Sequence, residues 1–222
     1  MKEKLNCIIV SVLAVILVFV LSSCGASDSK TKSSGKFIFR DGVTFGQSVE
    51  EVKKAESEKN GIEPAISGGP YHDRDYVYSL FYYMIQLPGF KHACINYEFD
   101  GKGLNYMQYD LVGTTESYQD AHVAYDIMKT AMTEQYDAPI FSENGSRLPY
   151  EGRTMIRYCS GWDSSKISSY SQWVVEYDDY FVLIELIMTK SNGTLGNQPA
   201  TYHTYVGYEP VSKDVMSPIL KK

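Results

Sequence analysis

Several things are scarce in this chain of 222 residues, and each scarcity removes a class of function. Lys and Arg do not cluster outside the two termini, and the formal net charge is −6, so the electrostatic footprint of a nucleic-acid binder is missing. The four histidines, His72, His92, His122 and His203, form no His-x-His or His-x-x-x-His pair. A metal site needs three or four converging ligands, and none is readable here. No Asp-x-Asp-x-Asp-Gly loop supports calcium. No Gly-x-Ser-x-Gly elbow or phosphate-binding glycine loop occurs either. No catalytic, cofactor-binding or metal residue is therefore assigned, and no cofactor is expected. Tryptophan is rare, with two residues, whereas tyrosine is abundant, with nineteen. Tyrosine joins a large apolar body to a polar tip and suits sheet faces and half-wet interfaces.

The apolar content has one conspicuous concentration. Cys7 to Leu21 is fifteen residues without charge, preceded by Lys2 and Lys4. A comfortable membrane span needs about 20 residues, so this reads as a secretory signal. Leu21-Ser22-Ser23-Cys24 closes the run. These four residues resemble the lipobox of bacterial lipoproteins. The resemblance implies cleavage before Cys24, a diacylglyceryl group on its sulfur, and residues 1–23 as signal peptide. Two or three acyl chains on one cysteine anchor stably, whereas a single chain binds reversibly. The expected location is the extracytoplasmic face of the cell membrane.

Residues 24–36 contain Gly, Ser and Lys and no large apolar side chain, which predicts a flexible tether. Ser-x-x-Lys matches such as Ser27 to Lys30 are composition in such a segment. With Cys7 in the signal and Cys24 lipidated, Cys94 and Cys159 remain. They pair, or they stay as small buried hydrophobes.

From Phe37 onward the pattern is globular. Ser48 and Glu51 form a capping box, Val49 and Val52 follow at helical spacing, and Lys59-Asn60-Gly61 supplies a stop. Strands are expected at Tyr76–Leu87, at Phe90–Phe99 with Ala93, Ile95, Tyr97 and Phe99 on one face, and at Leu104–Val112. Asp100-Gly101 marks a hairpin. Ser117–Tyr136 reads as a longer helix with Ala121, Ala124 and Met128 on one stripe. Strands return at Thr154–Cys159, Gln172–Tyr177, Tyr180–Met188 and Thr201–Tyr208, with a tight turn at Asp178-Asp179. Residues 210–222 read as a loose tail.

Helix, three strands, helix, then three or four strands suggests an α+β fold of two tandem α-βββ units, 37–113 and 114–209. The helices are expected on one face of an antiparallel sheet. Gly46-x-Ser48 before the Glu51-Val52 helix, and Tyr136-x-x-Pro139 after the second helix, resemble the BamE-like family of small assembly lipoproteins. Asp137 stands where that pattern usually has glycine. The tandem arrangement is also similar to the β-lactamase inhibitor protein family. What these resemblances imply is a binding or scaffolding role in the envelope without catalysis.

The densest polar cluster, His72-Asp73-Arg74-Asp75, reads as a solvated loop. His122 and Asp126 are spaced for a surface ion pair. Tyr76, Tyr78 and Tyr82 share one strand face by period two, and helices in such a unit cover one sheet face only. These three tyrosines are the candidate interaction surface. The function expected is a lipid-anchored binding or scaffold protein, attached to the membrane through Cys24 and contacting an envelope protein, with no nucleic acid. The alternatives are a cell-wall-associated hydrolase, which lacks a readable nucleophile, and a solute-binding lipoprotein, which needs two α/β lobes.

Overall fold

The structure, a computed structural model, describes residues 33–40, 42–60, 62–69, 78–83, 85, 87, 89–90, 93–111, 115–143, 150–159, 166–191 and 199–221. The capping box forms: Ser48 N donates to Glu51 Oε2 at 2.7 Å and Glu51 N to Ser48 Oγ at 3.3 Å. Helix α1, Val49–Asn60, runs on from it. Ser117 caps helix α2, Tyr118–Tyr136, by accepting from Asp120 N at 3.1 Å. Helix α2 ends at Asp137, whose φ of 64° and ψ of −168° lie where glycine alone is unstrained. The Asp137 carbonyl accepts from Trp173 Nε1 at 3.0 Å, which ties the helix end to the sheet.

Among the described residues eight strands make one antiparallel sheet. They are β1 Ile66–Gly68, β2 Tyr78–Tyr82, β3 Cys94–Asp100, β4 Gly103–Asp110, β5 Phe141–Glu143, β6 Ile167–Glu176, β7 Tyr180–Ser191 and β8 Thr201–Ser212. Their order is β1-β2-β3-β4-β8-β7-β6-β5. The expectation of two tandem α-βββ units is thereby corrected. Strand β4 pairs with β8, Met107 opposite Tyr208 and Asp110 opposite Tyr205, so both halves share one sheet. One apolar cluster runs through Leu80, Ile95, Tyr97, Met107, Val206, Ile184 and Trp173, drawing on both halves of the chain. Neither half has a core of its own on this face.

The helices also occupy both faces. Val52 of α1 and Ala121, Ala124, Met128 and Met132 of α2 pack into that cluster. Side chains alternate along a strand, so Leu183 and Ile187 of β7 point the other way from Ile184 and Leu186. There they meet two helices of the second face. Helix α3, Arg153–Cys159, packs through Met155 against Ile167, Tyr170, Ile187 and Tyr205. Helix α4, Lys213–Leu220, packs through Met216 against Val174, Phe181, Leu183 and Val211. The segment expected as a strand from Thr154 to Cys159 is thus helical. The supposed loose tail is the end of β8 followed by a docked helix.

The surplus of tyrosine finds its place on the α1/α2 face. Phe37, Phe39 and Phe45 of the entering segment lie against it. The Phe39 ring stacks on Tyr109 at 4.7 Å and meets Tyr208 and Tyr97 edge-on at 5.1 and 5.9 Å. Such pairs add about 0.5–1.5 kcal/mol each beyond their area burial. Tyrosine here builds an aromatic core layer between the entering segment and the sheet.

Candidate functional site

The second face carries a buried polar constellation under α3. Glu185 on β7 lies between Gln172 of β6 and Gly207 of β8 in the ladder. Its carboxylate is 1% exposed and accepts four hydrogen bonds. Gly152 N donates to Oε1 at 3.2 Å and Tyr170 Oη at 2.7 Å. Thr154 N and Met155 N donate to Oε2 at 3.0 and 3.3 Å. These amides open the first turn of α3, where backbone N–H groups lack intrahelical acceptors. Glu185 therefore caps α3 from across the sheet, and its negative charge suits the helix N-terminus.

Around this cap the contacts are close. Gly207 carries no side chain, and its place is taken by Thr154 Oγ1 and Tyr106 Oη, which share a hydrogen bond of 2.9 Å. Tyr106 Oη donates to Gln108 Oε1 at 2.6 Å, so the Thr154 hydroxyl is the donor to Tyr106. Glu209 on β8 accepts from Arg153 N at 3.2 Å, with Arg153 Nε at 3.7 Å from the same oxygen. Arg153 Nη1 donates to Asn105 Oδ1 at 3.0 Å, and the guanidinium lies 5.9 Å from the Tyr106 ring centre. Gln172 Nε2 donates to Tyr150 O at 2.9 Å, while Gln172 Oε1 is buried without a partner among the described residues.

Burial pushes the Glu185 carboxyl up to about 7, against the donors of Tyr170, Met155, Gly152 and Thr154. Burial, then the charge of Glu185, pushes Glu209 up to about 8, against Arg153. Two desolvated carboxyls, of which Glu209 alone lies beside Arg153, take up a proton more readily than ordinary carboxylates, and the charge of Glu185 couples them. Both pKa values lie above the ordinary 4.5, so this contribution to stability is complete at pH below that value and is lost as pH rises through about 7 and 8. The urea midpoint is expected to fall between about pH 4.5 and about pH 8 and to level off above, and Glu209→Gln to remove the part of the fall that extends beyond about pH 7. A midpoint that stays flat over this interval would show that the pair is ionised throughout.

A further buried carboxylate lies on the other face. Glu56 of α1 is fully buried, accepts from Tyr97 Oη, and lies 3.6 Å from Arg40 Nε. Burial and the Glu56 charge hold the Tyr97 hydroxyl well above the ordinary tyrosine range. Each clasp fastens one helix to one face of the sheet: α1 by its own Glu56, α3 by Glu185 of the sheet.

No family model, curated protein or solved structure matches the chain.

The residues singled out in the sequence fare differently. Cys24 and Tyr76 lie outside the described residues, as do His72-Asp73-Arg74-Asp75 and His92. Tyr78 and Tyr82 do not form an open tyrosine surface. Tyr82 is 1% exposed and meets Tyr97 edge-on at 5.9 Å. Tyr78 is half-buried, with its ring 6.4 Å from Phe99 and Lys53 Nζ 6.0 Å from its centre. Their face is the one that α1 covers, which is the physical reason for the correction. His122 and Asp126 are 3.7 Å apart, at the expected spacing. Among the described residues no group of three or more His, Cys, Asp or Glu could hold a metal ion. No sequence motif marks Glu185 or Glu209. Glu185 had a signal, a lone charge inside the apolar run Phe181–Met188.

Proposed function

We propose that the chain is a lipid-anchored extracytoplasmic binding or scaffold protein of the bacterial cell envelope. The observation that carries this reading is Leu21-Ser22-Ser23-Cys24 at the end of a short uncharged run, with a polar segment directly after it. The folded part is consistent with such a tether. Ser33 N donates to Glu176 O at 2.9 Å and Gly35 N to Asp178 Oδ2 at 3.1 Å, so the fold takes hold of the chain soon after Cys24. The donors around Glu185 are mostly backbone amides of α3, an arrangement that fastens a helix and presents no reacting group outward. This favours binding over catalysis.

Replacing Cys24 by Ala is expected to abolish incorporation of a fatty-acid probe in growing cells and to release the chain from the membrane fraction. Equal labelling of parent and variant would overturn the reading.

A further inference from the structure

A buried acceptor on the second face lacks a donor, and it lies beside the Glu185 carboxyl. Gln172 is fully buried, and its Oε1 has no hydrogen-bond partner among the described residues. It stands directly opposite Glu185 in the β6–β7 ladder, so the two side chains leave the same face with Cβ atoms about 4.5–5.5 Å apart. They also grip the same short segment ahead of α3. Gln172 Nε2 donates to Tyr150 O at 2.9 Å, and Gly152 N donates to Glu185 Oε1 at 3.2 Å. The Tyr150 bond fixes the amide, because the opposite orientation would set the Gln172 oxygen against the Tyr150 carbonyl. Gln172 Oε1 is therefore an acceptor, and an unmet acceptor in a buried place is costly.

The donors around it are committed elsewhere. Tyr170 lies two residues away on the same face of β6, and its hydroxyl donates to Glu185 Oε1 at 2.7 Å. The amides of Thr154 and Met155 donate to Glu185 Oε2. The other groups facing this carboxyl are Glu209 from β8, Tyr106 from β4, and Tyr150 and Arg153 at the start of α3. Arg153 is engaged by Glu209 and Asn105, and the Tyr106 hydroxyl by Gln108 and Thr154. A proton on Glu185 supplies the missing donor. Glu185 Oε1 already accepts twice, from Tyr170 and from Gly152, and an oxygen that gains a proton gives up acceptor capacity. The Gly152 bond is the longer of the two and is the one to be released.

We infer that Glu185 and Gln172 form a built proton site: a proton taken up on Glu185 Oε1 is donated to Gln172 Oε1, and in exchange Glu185 lets go of the Gly152 amide. The clasp on α3 then has two states. The charged carboxylate holds Gly152, Thr154 and Met155. The neutral acid holds Thr154 and Met155 through Oε2 and is itself tied to β6, while the segment ahead of α3 keeps the Gln172 Nε2 bond to Tyr150. Burial raises the Glu185 carboxyl to about 7, so the exchange falls near neutral pH, where an ordinary carboxyl is ionised.

The test follows the isotope-labelled full chain by NMR on either side of that midpoint. As pH falls through about 7, the Gln172 Cδ resonance is expected to move together with that of Glu185 Cδ. The Gly152 amide is expected to lose about tenfold in exchange protection relative to Thr154 and Met155. Glu185→Gln puts an amide nitrogen where the protonated oxygen stands, and is expected to hold Gln172 Cδ and Gly152 in their acid state at every pH. Gln172→Met removes the acceptor and is expected to lower the Glu185 midpoint by about one pH unit. A glutamine that only fills space would leave that midpoint in place or, once replaced by a less polar group, raise it. Tyr170→Phe removes a donor to the carboxylate and is expected to raise it. A Gln172 Cδ resonance that ignores the Glu185 titration overturns the inference, and so does equal loss of protection at Gly152, Thr154 and Met155. An unchanged or raised midpoint in Gln172→Met also overturns it; should that variant not fold, the two measurements on the parent chain decide.

Discussion

Glu185→Leu lowers the stability of the chain by roughly 3–5 kcal/mol, because four buried donors lose their acceptor at once and only part of that loss is offset by relief of the buried carboxyl. Leucine has a similar volume and no acceptor. The amides of Gly152, Thr154 and Met155 and the Tyr170 hydroxyl all lose the oxygen they share. Each donor left buried costs about 1–3 kcal/mol, so relief of the desolvated charge does not compensate. Glu185→Gln is milder. Its amide oxygen keeps Thr154 and Met155 satisfied while the Tyr170 hydroxyl turns to accept from the amide nitrogen, and Gly152 N alone loses its acceptor. Urea titration at constant slope reads the loss. Amide exchange at Thr154 and Met155 locates it, since these two protons become exposed first as α3 lifts. An unchanged midpoint in the leucine variant would mean that α3 is held by its apolar contacts alone.

Gly207→Ala is the second large effect, for a steric reason. A Cβ at this position falls 1.8 Å from Thr154 Oγ1 and 2.7 Å from Tyr106 Oη. Both atoms belong to buried residues of the polar constellation, so the methyl group displaces α3 or opens the β7–β8 ladder. Overpacking of a filled core costs about 1–3 kcal/mol, and rupture of the Thr154–Tyr106 hydrogen bond adds to that. Thr154→Ala removes the nearest atom and is expected to recover part of the loss in the double variant. The recovery appears as a non-additive term in a mutant cycle. Strictly additive losses would show that α3 already sits clear of β8.

Much of the local structure was legible, because its causes are local. The Ser48–Glu51 box and Ser117 start α1 and α2 with side chains three residues away from the amides they serve. The hairpins at Asp100-Gly101 and Asp178-Asp179 join strands adjacent in sequence. Alternation in β3 placed Ala93, Ile95, Tyr97 and Phe99 on the buried face. What could not be read depends on distant residues. Helix α3 has branched and aromatic side chains that favour a strand, and its cap, Glu185, lies some thirty residues downstream. Strands β1 and β5 are three residues each and give no period to detect. Period two put Tyr78 and Tyr82 on one face, but the residues that cover it, in α1 and the entering segment, are apparent only in the fold. The pairing of β4 with β8 joins segments about a hundred residues apart, beyond any local signal.

The position of β8 has a consequence for how the chain reaches its folded state. It is the last strand in the sequence, yet it sits inside the sheet, bonded on one side to β4 and on the other to β7. Until residues 201–212 are available, β1–β4 and β5–β7 are separate ladders, with no strand pairing between them among the described residues. A chain released N-terminus first, from a ribosome or through a secretion channel, therefore closes its sheet only when its final strand has emerged. Contacts of such long sequence separation make folding slow. A chain cut short before Thr201 would keep two bare strand edges, at β4 and β7, and such edges recruit other chains.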